Sequence, residues 1–147
     1  LKTLTTPTST GNDSVTDVGF QPEALISSLI DRATADANHH DLAVCVGMSD
    51  ATQDSAHSSE SEDDQSAVSD ASSYSDAKII NLRDENGAEN VTATVASFDS
   101  DGFTKNYSAV NASARKGWDL ALAEVAAGGS TIPIFDKYYR GMRAISC

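Results

Sequence analysis

At 147 residues, with a formal charge of −12 and a pI near 4.3, the chain has room for one domain built around one core. No apolar run approaches the roughly 18 residues that span a bilayer, and no charged-then-apolar segment resembles a signal peptide, so a soluble chain without membrane insertion is expected. Ten Lys and Arg against 22 Asp and Glu exclude nucleic acid as an obvious partner, because phosphate binding needs clustered cations.

The acid is mostly Asp, Lys is scarce, small residues abound and aromatics are few. That bias suits a chain that stays hydrated and dispersed in concentrated salt, where screening weakens the repulsion of a highly charged surface, and it points to a halophilic source. The charge is uneven. Residues 1–101 hold four bases against nineteen acids and residues 102–147 six against three, so a mildly basic end follows an acidic front.

Residues 1–14 ("LKTLTTPTSTGNDS") read as an extended Thr/Ser-rich arm, ordered only where something holds it. In "DVGFQPEALISSLI", Pro22 disfavours a helical residue before it, and a strand from near Ala24 is predicted. A helix over residues 23–37 is the competing reading, since Leu25, Leu29 and Arg32 are helically spaced. "RATADANHHD" is a polar connection. "DLAVCVGMSD" places Leu42, Val44, Val46 and Met48 on one face and Ala43, Cys45 and Gly47 on the other, as in a strand packed on both sides.

Residues 49–76 are dominated by Ser and Asp with few apolar anchors, and most of this stretch reads as a solvated loop with a short strand around Ser66 to Ala71. "AKIINLR" predicts a short strand closed by the turn "DENG". "NVTATVASF" alternates Val91, Ala93 and Val95 against polar partners, and "DGFTKNYSAV" starts the strand beside it. "GWDLALAEVA" supplies a last strand with Trp118, Leu120 and Leu122 facing one way. "GGS" at 128–130 reads as a hinge before an aromatic and basic tail. The predicted class is all-β: an antiparallel β-sandwich over residues 15–127, preceded by the arm (1–14) and followed by the hinge and tail (128–147).

"FDSDGFTKNY" could be half of a calcium loop or a hairpin turn. Setting Gly102 at the sixth position of an EF-hand-type loop puts Asp101 fifth and Asp99 third, but Ser97 first and Ser108 twelfth, so the bidentate Glu is missing. Strand-like flanks and the Asp-Gly pair favour the hairpin, with Gly102 expected to take a positive φ. A weak surface site for calcium or magnesium at Asp99 and Asp101 is the alternative, and no other cofactor is expected.

The remaining chemistry is thin. His39 and His40 are adjacent, which turns their rings apart in an extended chain, and His57 lies in the Ser/Asp stretch, so solvated histidines are expected. No Gly-x-Ser-x-Gly elbow or paired-carboxylate signature marks a hydrolase, and no enzyme is predicted. Cys45 reads as a buried free thiol, and a disulfide through Cys147 has no support. Sequons at Asn12, Asn90, Asn106 and Asn111 permit surface glycosylation.

"DVGFQPEALI", "SAVSDASS" and above all "ASFDSDGFTKNYSAVNASARKGWDLALA", taken in this order over residues 15–130, resemble a group of small structural proteins of tailed viruses of bacteria and archaea. The resemblance implies a β-sandwich, often a jelly roll, that assembles on the capsid or tail as a many-copy decoration, turret or tail component of the virion, with no catalytic residues. The acidic bias resembles proteins of haloarchaeal viruses. The resemblance implies other virion proteins and further copies of the chain as partners; trimers and pentamers are both compatible with the sequence. Ile132, Ile134, Phe135, Tyr138, Tyr139, Arg140 and Arg143 of the tail are the candidate subunit contacts, because an exposed aromatic and basic segment is hard to explain on a free monomer. A host-receptor or glycan-binding module of a viral spike or fibre, acting at the host cell surface, is the alternative.

Overall fold

The computed structural model describes residues 1–33, 42–61, 71–84 and 87–124. Ten strands run through them in chain order: β1 (Lys2–Thr5), β2 (Gly11–Val15), β3 (Ala24–Ile30), β4 (Leu42–Ser49), β5 (Asp54–Ser61), β6 (Ala71–Ser75), β7 (Ile80–Arg83), β8 (Glu89–Asp99), β9 (Gly102–Ala109) and β10 (Lys116–Leu122). They form a six-stranded sheet, order β1-β10-β3-β4-β5-β6, and a four-stranded sheet, order β2-β9-β8-β7. Every pairing is antiparallel, and no helix occurs among the described residues. This order establishes a β-sandwich; it does not establish the jelly-roll connectivity expected above.

The two sheets bury unlike faces. The larger contributes Leu4, Leu25, Leu29, Ala43, Cys45 and Ala56, while the smaller brings Ile80, Leu82, Val91, Ala93, Phe103 and Tyr107, with Ile79 just ahead of β7. At about 1.5–3 kcal/mol for each large side chain fully buried, the smaller sheet carries most of the apolar driving force. The inner positions of β4 and β5 are small because the opposing backbone comes close: a Cβ on Gly47 would stand 1.9 Å from the carbonyl oxygen of Ile79.

In β3, Leu25, Ser27 and Leu29 point inward, whereas Ile26 and Ser28 are half-buried and Ile30 is exposed. A spacing of four is shared by helix and strand, so Leu25 and Leu29 could not separate the two readings. Ser27 decides it, because it is buried on the same face, as only a period of two allows. The helix over 23–37 is thereby overturned for residues 24–30; residues 34–37 lie outside the described residues.

The Ser/Asp-rich region also departs from its expected loop. β5 pairs with β4 along its whole length, from Ser49↔Asp54 to Leu42↔Ser61, and β6 extends the sheet through His57↔Tyr74 and its neighbours. Few apolar anchors are needed here, since Ala56 and Ser58 are small enough to fill the thin space they are given and both are buried. The strand expected around Ser66 to Ala71 falls outside the described residues, apart from Ala71 at the start of β6.

Residues 1–14 are held. β1 pairs with β10 from Lys2↔Asp119 to Thr5↔Lys116, and β2 pairs with β9 from Gly11↔Tyr107 to Val15↔Phe103, so each sheet takes one strand from the N-terminal residues. The Thr6 hydroxyl accepts the Arg115 amide at 2.8 Å and the Thr6 amide donates to the Arg115 carbonyl at 2.9 Å, which locks the crossing between sheets.

β8 and β9 form the expected hairpin, closing on Asp99↔Gly102. Its glycine has a different reason from the one expected. Gly102 is absent from the residues with positive φ; a Cβ there would instead stand 1.9 Å from the carbonyl oxygen of Val15. The obstacle is backbone, which cannot swing aside. Gly102→Ala should therefore lower stability by about 1–3 kcal/mol, as overpacking does, measured by urea denaturation.

Candidate functional site

The carboxylates of Asp99 and Asp101 serve the hairpin. Asp99 accepts the hydroxyls of Ser97 and Thr104, each at 2.9 Å, while Asp101 accepts the Gly19 amide at 2.6 Å and its carbonyl accepts the Val18 amide at 3.1 Å. Asp101 thus ties the hairpin tip to the segment leading from β2 into β3. Among the described residues no group of three or more His, Cys, Asp or Glu could hold a metal ion.

His57 sits on β5 with its side chain exposed, so it lies on a strand and not in a loop. His39 and His40 lie outside the described residues. Cys45 is a buried free thiol as expected, accepting the Asn81 amide at 3.3 Å, and burial pushes its pKa up. The thiolate is disfavoured, which removes it as a nucleophile. The four sequon asparagines form two pairs: Asn106 donates to Asn12 at 2.6 Å across β9 and β2, and Asn111 donates to Asn90 at 2.8 Å.

A polar cluster lies between the sheets. Lys105 on β9 donates to both carboxylate oxygens of Asp119 on β10, at 2.9 and 2.8 Å, with both side chains essentially excluded from water. Ser27 on β3 donates to Oδ1 of the same carboxylate at 2.5 Å. The ammonium stands 5.6 Å from the Phe103 ring and 6.0 Å from the Tyr107 ring, within the range of cation–π attraction. Burial lowers the pKa of Lys105 even though Asp119 opposes the shift, and burial raises that of Tyr107.

The outer face of the six-stranded sheet has the opposite character. Because Asp119 points inward, Trp118, Leu120 and Leu122 of β10 point outward, and the register continues them across the sheet. One row runs Thr3, Trp118, Ser28, Val46, His57 and Tyr74; the next runs Leu120, Ile26, Met48 and Ser55. Ile30, Val46, Met48, Tyr74, Trp118 and Leu122 are 37% to 67% exposed. A groove of about 360 Å³ opens at one end, among Ile26, Met48, Gln53, Ser55 and Leu122, with Asp50, just past the end of β4, at its margin.

No carboxylate stands on this face among the described strand residues. The three acids on these strands are Asp54, Glu60 and Asp119; they pair with Ser49, with Ala43 and with Ser27 and Lys2, all at inward positions. Asp54 reaches the other sheet, accepting the Val95 amide at 2.9 Å. In a chain with 22 acids, an apolar face whose described strand positions carry none is well suited to contact. The alternation of "GWDLALA" showed these three residues sharing a face, but not that the face is the outer one.

The expected subunit contacts Ile132, Ile134, Phe135, Tyr138, Tyr139, Arg140 and Arg143 lie outside the described residues, as does Cys147. Comparison with protein-family models, with curated proteins and with solved structures finds no match.

Cys45 offers a direct check of the packing between β4 and β7. In a Cys147→Ser chain, Cys45 should react with a thiol reagent only as the chain unfolds, with a rate that rises along the urea transition. Rapid labelling of the native chain at neutral pH would mean that β7 does not cover it.

Proposed function

We propose that the protein is a structural subunit that assembles in many copies through the outer face of its six-stranded sheet, within the particle of a tailed virus of a halophile. The observation that supports assembly is the broad apolar face, whose described strand positions carry no carboxylate, on a chain whose net charge is −12. The viral setting rests on the resemblance of residues 15–130, and the halophilic one on the acidic composition.

A second copy of the same chain is the occupant that fits best. Leaving Trp118, Met48 and Val46 in water forfeits the gain that burying such side chains brings, about 1.5–3 kcal/mol for each one fully covered. The acids of each copy repel those of the next, so a self-contact favours a region that lacks them, as the described strand positions of this face do. Trp118, Tyr74 and Met48 on this face are also of the residue types enriched at interfaces between subunits.

Light scattering on the full chain in high salt should give a closed oligomer. The double variant Val46→Asp/Met48→Asp, which places two carboxylates at the centre of the face, should run as a monomer with an unchanged β-sheet circular dichroism spectrum. An oligomer that survives this substitution overturns the assignment of the face. A chain truncated after Gly129 should keep the oligomer; if truncation dissociates it while the sheet-face variant does not, the tail is the contact instead.

A further inference from the structure

The interior cluster of Lys105, Asp119 and Ser27 has a geometry that an ordinary ion pair does not require. The amine donates to both oxygens of one carboxylate at 2.8 and 2.9 Å, which sets the nitrogen close to the carboxyl carbon between them. The two partners lie on different sheets, and their side chains are 0% and 1% exposed. Ser27 donates to Oδ1 at 2.5 Å, so one oxygen is held by a hydroxyl and the other only by the amine. Phe103 and Tyr107 flank the amine, and water cannot enter to solvate the charges.

We propose that Lys105 and Asp119 condense to an intramolecular isopeptide bond that joins the two sheets covalently. In this dry setting a proton passes from the ammonium to Oδ2, turning the ion pair into an amine and a carboxylic acid. The nitrogen lone pair attacks Cγ, and the charge that develops on Oδ1 falls where the Ser27 hydroxyl donates. The Cγ–Oδ2 bond then breaks and Oδ2 leaves with its proton and a second one from the nitrogen, as water. The balance is one ammonium and one carboxylate in, one amide and one water out, with no oxidant, reductant or co-reactant.

Proximity favours the step: the fold holds the amine against the carboxylate, so little translational or rotational freedom is lost on reaction, and the nitrogen has to swing out of the carboxylate plane to approach Cγ. Burial favours it too: a buried ion pair recovers little of its desolvation cost, and the amide removes both charges. The lowered pKa of Lys105 acts in the same direction. Asp13, across from Lys105 in the β2–β9 register, is the other carboxylate whose charge acts on the amine.

The decisive measurement is the intact mass of the denatured full-length chain after it has folded. The expected mass is that of the sequence less one water, with tryptic digestion yielding a branched peptide that joins the Lys105 and Asp119 segments. The full sequence mass in a chain whose circular dichroism shows it folded overturns the proposal. Lys105→Arg preserves the charge but not the nucleophile, and should restore the full sequence mass. Chain recovered unfolded in urea should lose the water only on refolding, and Ser27→Ala should slow that loss by about a hundredfold, the scale of removing one oxyanion donor. Equal rates would remove Ser27 from the reaction. These readings depend on the interior alone, so they are independent of whether the outer face mediates assembly.

Discussion

Two opposite charges placed where water cannot reach them set the arrangement of the sandwich. Lys105 lies in the smaller sheet and Asp119 in the larger, and a buried charge left without its partner would cost several kcal/mol. The contact therefore fixes how β9 lies over β10 and β3. It also fixes the polarity of β10: with Asp119 inside, strict alternation sends Trp118, Leu120 and Leu122 to the outside. The register passes this choice to β3 and β4, whose Ile26, Ile30, Val46 and Met48 lie on the same side. The apolar outer face and the polar interior are two consequences of one alternation.

The elements were legible where alternation was strong, as in β3, β4, β8, β9 and β10. What alternation could not show is which face of a strand turns inward. In β4 the larger residues Val44, Val46 and Met48 look like the core set, yet the core takes Ala43, Cys45 and Gly47. The reason lies far along the chain, in the backbone of Ile79, whose carbonyl would meet any Cβ on Gly47. Gly102 is similar: the Asp-Gly pair correctly marked a hairpin, but the glycine is there to clear Val15 and not to adopt a left-handed conformation. Such approaches between distant segments leave no local trace. Nor did Ser-rich β5 and β6, since the hydrogen bonds and thin packing that order them come from β4 and β7: Ser73 accepts from Asn81 at 2.6 Å and from Arg83 at 3.2 Å, tying the edges of the two sheets together.

Site residues were harder to read than strands. Lys105 stood in "FTKNY" as one polar residue among several, and its burial against Asp119, fourteen residues on, depends on a crossing between sheets that no spacing rule encodes. The paired sequon asparagines could have been found from the register alone, because Asn12 and Asn106 are direct cross-strand neighbours. The Asp99 and Asp101 cluster offered the most conspicuous chemistry in the sequence, and in the structure its carboxylates are occupied by hydroxyl and amide donors of the hairpin and of the segment beside it.

Acidity and the proposed assembly are not in conflict once the position of the acids is considered. The charge of −12 keeps copies apart over a distance set by screening, roughly 10 Å at 0.1 M salt and 3 Å at 1 M. Apolar attraction acts only at contact. A sheet face whose described strand positions lack carboxylates, on an acidic chain, therefore gives two regimes: repulsion dominates in dilute salt, and contact becomes accessible when salt has shortened the reach of the charges. The same salt that strengthens apolar burial also relaxes the opposing force. The absence of carboxylates from the described strand positions of this face thus turns ionic strength into the variable that governs association, while the interior contact of Lys105 with Asp119, shielded from solvent, is largely insensitive to it.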